Sequence, residues 1–161
     1  MGNEDHTQGR RAMPGAPVVH LFFQAEASAV RRALETAMAV LRDLPLAADR
    51  VGAVEIVLAE VLNNVVEHAY AERGQGLVEL EVLREATALS FRIGDDGREM
   101  PQGMVPPGAA HDLDVRDSDL PEGGFGWFLI HELTEDLVYR RLGPRNVLTF
   151  RIVIGGDPAG R

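Results

Sequence analysis

The sequence predicts an α+β domain, a two-layer sandwich with helices on one face of a mixed, mainly antiparallel sheet. Three observations lead there. The elements read in the order strand, helix, helix, strand, strand, long loop, helix, strand, strand. Two long segments repeat apolar residues at helical spacing, whereas five shorter ones cluster or alternate them as strands do. A chain of 161 residues that is 45% hydrophobic and 25% charged suits one domain with its own core.

Residues 1–17 are polar and rich in Gly and Pro, and read as a disordered leader outside the fold. The domain is expected over 18–154, with 155–161 a flexible tail. Residues 18–23 (VVHLFF) open the sheet. From 26 to 44, Val30, Leu34, Ala37, Met38 and Leu41 mark a helix that Pro45 closes. A second helix follows over about 47–70. Strands at 77–83 and 88–93 are joined by the short connection EAT as a hairpin. Over 94–126 the periodicity gives way to Gly, Pro and Asp, and a connection of that length in a compact domain reads as a lid or binding segment. A helix at 127–133 and strands at 137–141 and 147–154, joined across LGPRN, complete the order.

The formal net charge of −9 argues against a nucleic-acid surface, which is built from clustered Lys and Arg. Proteins or small molecules are the expected partners. The absence of Cys excludes disulfides and thiolate chemistry and fits a reducing cytoplasm. No apolar run approaches the roughly 18 residues needed to span a bilayer. A cytoplasmic location without a membrane partner is therefore expected.

Three motifs carry chemistry. In the second helix Glu60, Asn63, Asn64, Glu67 and His68 crowd one side, opposite Val54, Leu58, Val61, Leu62, Val65 and Ala69. Two adjacent Asn are poor helix formers, so their amides are wanted there. The second motif, IGDDGREMP, stands where a strand runs out into the long loop. In the third, PEGGFGWFLIHEL, Gly123, Gly124 and Gly126 lead into a helix, whose N-terminus offers unsatisfied N–H groups to an anion.

In this order and spacing the motifs resemble the GHKL ATPase superfamily, with its left-handed-twisted Bergerat-type ATP-binding sandwich, N-box helix, DxG turn, lid and GxG helix start. Within it the chain is most similar to the stand-alone anti-sigma-factor serine/threonine kinases. The likeness runs from about 18 to 154, and EVLNNVVEHAY is its most specific part. The resemblance implies ATP and Mg²⁺, with Asn64 a magnesium ligand and Glu60 the catalytic base that accepts the proton of the attacking hydroxyl. Asp95 matches the carboxylate that takes the adenine amino group, Gly97 the turn beside the purine, and Gly123, Gly124 and Gly126 the triphosphate cradle. The lid would span 101–122.

The implied function is an ATP-dependent protein kinase that holds a sigma factor and phosphorylates Ser on an antagonist protein, acting as a homodimer through the first strand or its neighbouring surface. The alternative is a nucleotide-gated binding module without turnover. Departures from the family pattern are Glu99 in place of a second Gly after Asp95, Glu122 where some relatives carry a basic residue, and RNVLTF in place of a Gly-Thr. Arg98 or Arg116 would supply the missing cation, and Asn146 or Thr149 the adenine-side hydrogen bond. Asn63 has no assigned role, Glu67 reads as solvated surface and His68 as a structural hydrogen-bonder. His20, in a strand, does not suit a phospho-accepting role.

Overall fold

A computed structural model describes residues 15–71, 75–108 and 124–155. Residues 1–14, most of the expected lid with Arg116 and Glu122, Gly123, and the tail beyond 155 lie outside them. The strands are β1 (Val19–Gln24), β2 (Leu77–Arg84), β3 (Ala88–Asp95), β4 (Glu135–Leu142) and β5 (Arg145–Val153). The helices are α1 (Ala27–Arg42), α2 (Ala48–Asn64) and α3 (Gly124–Leu133). The two-layer α+β reading holds.

The sheet order is β1-β2-β3-β5-β4, and every neighbouring pair is antiparallel. The expectation of a mixed sheet is corrected for these strands. Two helices between β1 and β2 return the chain to the end it left, so β2 descends beside β1. Strands β3 and β4 do run in one direction, but β5 lies between them and pairs antiparallel with both.

Alternation along the strands puts Val78, Leu80, Val82, Phe91, Ile93, Leu148, Phe150 and Ile152 in the core with α1 and α2. Phe91 and Phe150 stack at a centroid distance of 4.8 Å. From α1, Val30, Ala37, Met38 and Leu41 reach the core, and from α2, Val54, Leu58, Val61 and Leu62 do. The periodicity at 26–44 and 47–70 is thus the buried stripe of each helix.

The opposite sheet face carries an ionic cluster in which Glu79 bonds His20 at 2.9 Å and also pairs with Arg92 and Arg145. Its partial burial disfavours the Glu79 charge, and the His20 bond with the two guanidinium groups outweighs that, holding the carboxyl below its ordinary range. His20 is accordingly a strand residue with a structural partner.

The second helix departs from its expected course at the polar cluster. Its α-helical part stops at Asn64, and Val65–Ala69 form a wider π turn. Two adjacent β-branched residues resist the tighter α turn, and π turns recur at functional sites. Tyr70 follows, and Ala71 takes a left-handed φ of 48° that ends the helix.

Candidate functional site

Of the buried polar residues among those described, Asn64, Asp95 and Asn146 meet at one cavity. The fourth, Ser90, lies away from it and bonds Glu85. Burying a carboxylate and two amides in one place costs free energy unless each finds partners, so their convergence marks a site. The cavity holds about 490 Å³ between the end of α2, β3, β5 and α3. Val65, Ile93, Met100, Trp127 and Leu148 give it apolar walls, while Glu67, His68, Arg98 and Glu99 also line it.

The five polar residues of the second helix do not share one environment. Asn64 is 8% exposed and lines the cavity, and its Nδ2 is the one buried side-chain polar atom without a partner among the described residues. A buried amide in that state is expensive and points to a missing ligand group. Glu60, one turn earlier, is half-buried and faces α3: a Cβ added at Gly126 would land on its Oε2 and stand 3.3 Å from its Cδ. Asn63, Glu67 and His68 are exposed, although Glu67 and His68 border the cavity. The polar sector read as one surface therefore splits, with Glu60 and Asn64 turned inward and Asn63, Glu67 and His68 outward.

Asp95 ends β3 at 5% exposure. Its Oδ1 accepts the Gly97 N–H at 2.9 Å and Asn146 Nδ2 at 2.8 Å. Burial pushes its carboxyl above the usual aspartate range, against the lowering effects of those two bonds and of Arg141. Gly97 is required by space. Its φ is not positive, and a Cβ there would come within 2.6 Å of both Ala69 Cβ and Ala69 O. The turn therefore packs on the π turn, where Arg98 N–H donates to Ala69 O at 2.8 Å. Tyr70 locks the same junction. Its hydroxyl donates to Asp96 and accepts Asp96 N–H at 2.9 Å. Its burial and its bond to the Asp96 carboxylate raise the phenol's pKa, and the same carboxylate bond lowers that of Asp96.

Sequence reasoning named Asn146 but missed Tyr139 and Arg141 behind it. In the sheet register Val78, Asp95, Asn146 and Arg141 form one row across four strands, all on the helix-covered side. Of Asn146 and Thr149, Asn146 stands beside Asp95; Thr149 pairs with Arg92 and Val138 and does not line the cavity. Tyr139 donates to Asn146 Oδ1 at 2.6 Å and accepts Met100 N–H at 3.1 Å. Arg141 Nη1 donates to the same oxygen at 2.7 Å and to Gly97 O at 2.8 Å.

Gly126 lies in the first turn of α3, beside Glu60. Gly124 opens the helix, and Gly123 is outside the described residues. Of the two Arg candidates, Arg98 lines the cavity, and Arg116 lies outside the described residues. Beyond the Gly97 turn the chain forms a 3₁₀ turn at Pro101–Gly103, and Pro106 O accepts a 2.9 Å bond from His131 Nε2 on α3. Glu99 is exposed on this segment. No helix among the described residues is long and apolar enough to cross a membrane.

A family profile described as a histidine kinase-like ATPase domain matches residues 23–152. Over 60 residues, 37% of this chain and 12% of the relative, the sequence is 41% identical to the sensor histidine kinase PdtaS of Mycolicibacterium smegmatis. Among solved structures, the RsbU and RsbW domains of Rv1364c from Mycobacterium tuberculosis align with a TM-score of 0.57 at 14% identity, covering 89% of this chain and 34% of that one. The histidine kinase domain of the Erythrobacter litoralis EL346 blue-light activated histidine kinase aligns at 0.51 and 18% identity, covering 86% and 61%. The chain spans less than two thirds of the length of each, and the structural likenesses speak for the fold. The profile runs from the last residues of β1 to the penultimate residue of β5, over every element that lines the cavity, and the protein belongs to the family of histidine kinase-like (GHKL) ATPase domains.

Proposed function

We propose that the protein is an ATP-dependent serine/threonine kinase that acts as an anti-sigma factor, exchanging a sigma factor and a phosphorylatable antagonist protein. The observation that carries the ATP site is the buried Asp95 carboxylate in an apolar cavity, with Oδ1 committed to the protein and Oδ2 bonded to none of the described residues. An acceptor so placed takes the amino group of adenine, while Trp127, Ile93 and Leu148 supply apolar surface for the ring. The phosphates would then extend along Asn64 to the first turn of α3 at Gly124 and Gly126, whose amides suit an anion.

The residues present fit magnesium. Asn64 offers a hard amide oxygen at the cavity wall for the ion and an unpartnered buried Nδ2 as donor to a phosphate oxygen, and the phosphates themselves supply further oxygen ligands. When bound, the ion neutralises phosphate charge. Glu60, between Asn64 and Gly126, takes the hydroxyl proton while the serine oxygen bonds to the terminal phosphorus and the bond from that phosphorus to ADP breaks.

The fold likeness to a chain with an RsbW domain supports the partner-switching reading. Phe22, 58% exposed on edge strand β1, supports the homodimer. Sedimentation of a monomer at high concentration would remove it. The kinase reading is tested by incubating the protein with magnesium ATP and antagonist proteins encoded beside its gene. Phosphoserine on the antagonist, lost in Glu60→Gln, is the expected result. ATP binding and partner capture without transfer would replace the kinase by a nucleotide-gated module. Undiminished transfer by Glu60→Gln would remove Glu60 from the chemistry.

A further inference from the structure

Asn146 is a saturated side chain. Its Nδ2 carries two protons and faces three acceptors, Asp95 Oδ1 and Arg98 O at 2.8 Å each and Gly97 O at 3.3 Å. Its Oδ1 has two lone pairs and meets two donors, the Tyr139 hydroxyl and Arg141 Nη1. The amide can stand only this way round, because a guanidinium only donates and the two carbonyls only accept. Nothing is left on Asn146 for a base in the cavity.

The geometry points to Asn146 and Arg141 as positioning residues for purine selection, which act through Asp95 and the Gly97 turn without touching the base. The inference rests on the ATP reading of the cavity. A carboxylate turns easily about its last bond. Two donors on Oδ1 fix Asp95 and leave Oδ2 for the ligand. An acceptor held there receives the amino group of a 6-aminopurine and opposes the carbonyl of a 6-oxopurine.

Arg141 works behind the amide. Its charge polarises Asn146 Oδ1 and so strengthens donation from Nδ2. Around Asp95, burial and the neighbouring Asp96 oppose ionisation, and the Asn146 and Gly97 bonds with Arg141 favour it. The same guanidinium holds Gly97 O, so one side chain ties the acceptor to the turn that follows it. Gly143 and Pro144 close the β4–β5 hairpin and bring Arg141 opposite Asn146.

Calorimetric titration with magnesium ATP, GTP and ITP tests this on the full chain, using wild type, Asn146→Ala, Arg141→Met and Tyr139→Phe. Wild type is expected to prefer ATP. Asn146→Ala and Arg141→Met should each lower the ATP-to-GTP affinity ratio by about threefold or more, the scale of one weakened hydrogen bond. Arg141→Met should also move the acid-side loss of ATP affinity to higher pH. A smaller change in the ratio, including equal weakening of both nucleotides, overturns the proposal. If Asn146→Ala does not fold, Arg141→Met decides by the same criterion, with Tyr139→Phe expected to change the ratio in the same direction. Wild type that binds ATP without preference over GTP overturns this inference alone; wild type that binds none of the three overturns the ATP reading itself.

Discussion

Replacing Gly97 by alanine drives a methyl group into the end of the π turn. The new Cβ would stand 2.6 Å from Ala69 Cβ, 2.6 Å from Ala69 O and 2.8 Å from Ala69 C. Carbon atoms in contact prefer about 3.5–4.0 Å, so the two segments must part by about 1 Å. Overpacking of this kind costs about 1–3 kcal/mol. The movement also breaks the 2.8 Å bond from Arg98 N–H to Ala69 O, worth about 1 kcal/mol. The expected loss is therefore about 2–4 kcal/mol. At about 2–4 °C per kcal/mol for a domain of this size, the melting temperature should fall by about 4–16 °C. Calorimetric unfolding checks it, with Ala69→Gly in the Gly97→Ala background as the control. That second change removes the methyl contact but leaves the carbonyl, so it should recover only part of the loss. Full recovery, or a Gly97→Ala protein within about 0.5 kcal/mol of wild type, would refute the close-packing argument.

Asp95→Asn should abolish ATP binding and raise the melting temperature. The folded-state pKa of Asp95 is raised, so the ionised carboxylate destabilises the fold above the ordinary aspartate range and the stability it lacks there returns as pH falls. The variant's advantage should accordingly be largest at neutral pH, at about 2–4 °C for each kcal/mol relieved, and vanish in acid. Loss of stability at neutral pH would contradict this. In Gly126→Ala the new methyl displaces the end of the flexible Glu60 side chain, so the change should cost less than about 1 kcal/mol and be more favourable, stabilising by up to about 1 kcal/mol, in Glu60→Ala, where the helix gains alanine without the contact. Additive melting shifts in the four-protein cycle would sink that coupling.

Much of the fold was legible because its signals are local. The stripes of α1 and α2 and the alternation of β2 and β3 follow from spacing alone, and Asn64 and Asp95 could be singled out as amide and carboxylate where a helix and a strand end. What stayed hidden depends on register between distant segments. The π turn at Val65–Ala69 arises from packing on the Gly97 turn as much as from its own valines. The commitment of Asn146 requires Asp95, Tyr139 and Arg141 together, residues up to 51 positions apart. One signal could have found part of it: a tight turn at Gly143 and Pro144 sets Leu142 against Arg145 and hence Arg141 against Asn146. The all-antiparallel sheet likewise depends on β5 entering between β3 and β4, an event that no single segment encodes.

The chain contains one tryptophan and two tyrosines. Trp127 and Tyr139 line the cavity, whereas Tyr70 lines a neighbouring hollow with Asp96 and Arg141. The single tryptophan, the strongest absorber and emitter of the near ultraviolet, thus stands in the wall of that cavity. The tryptophan emission of the whole protein is in effect the signal of that cavity, and it follows its filling without an attached dye.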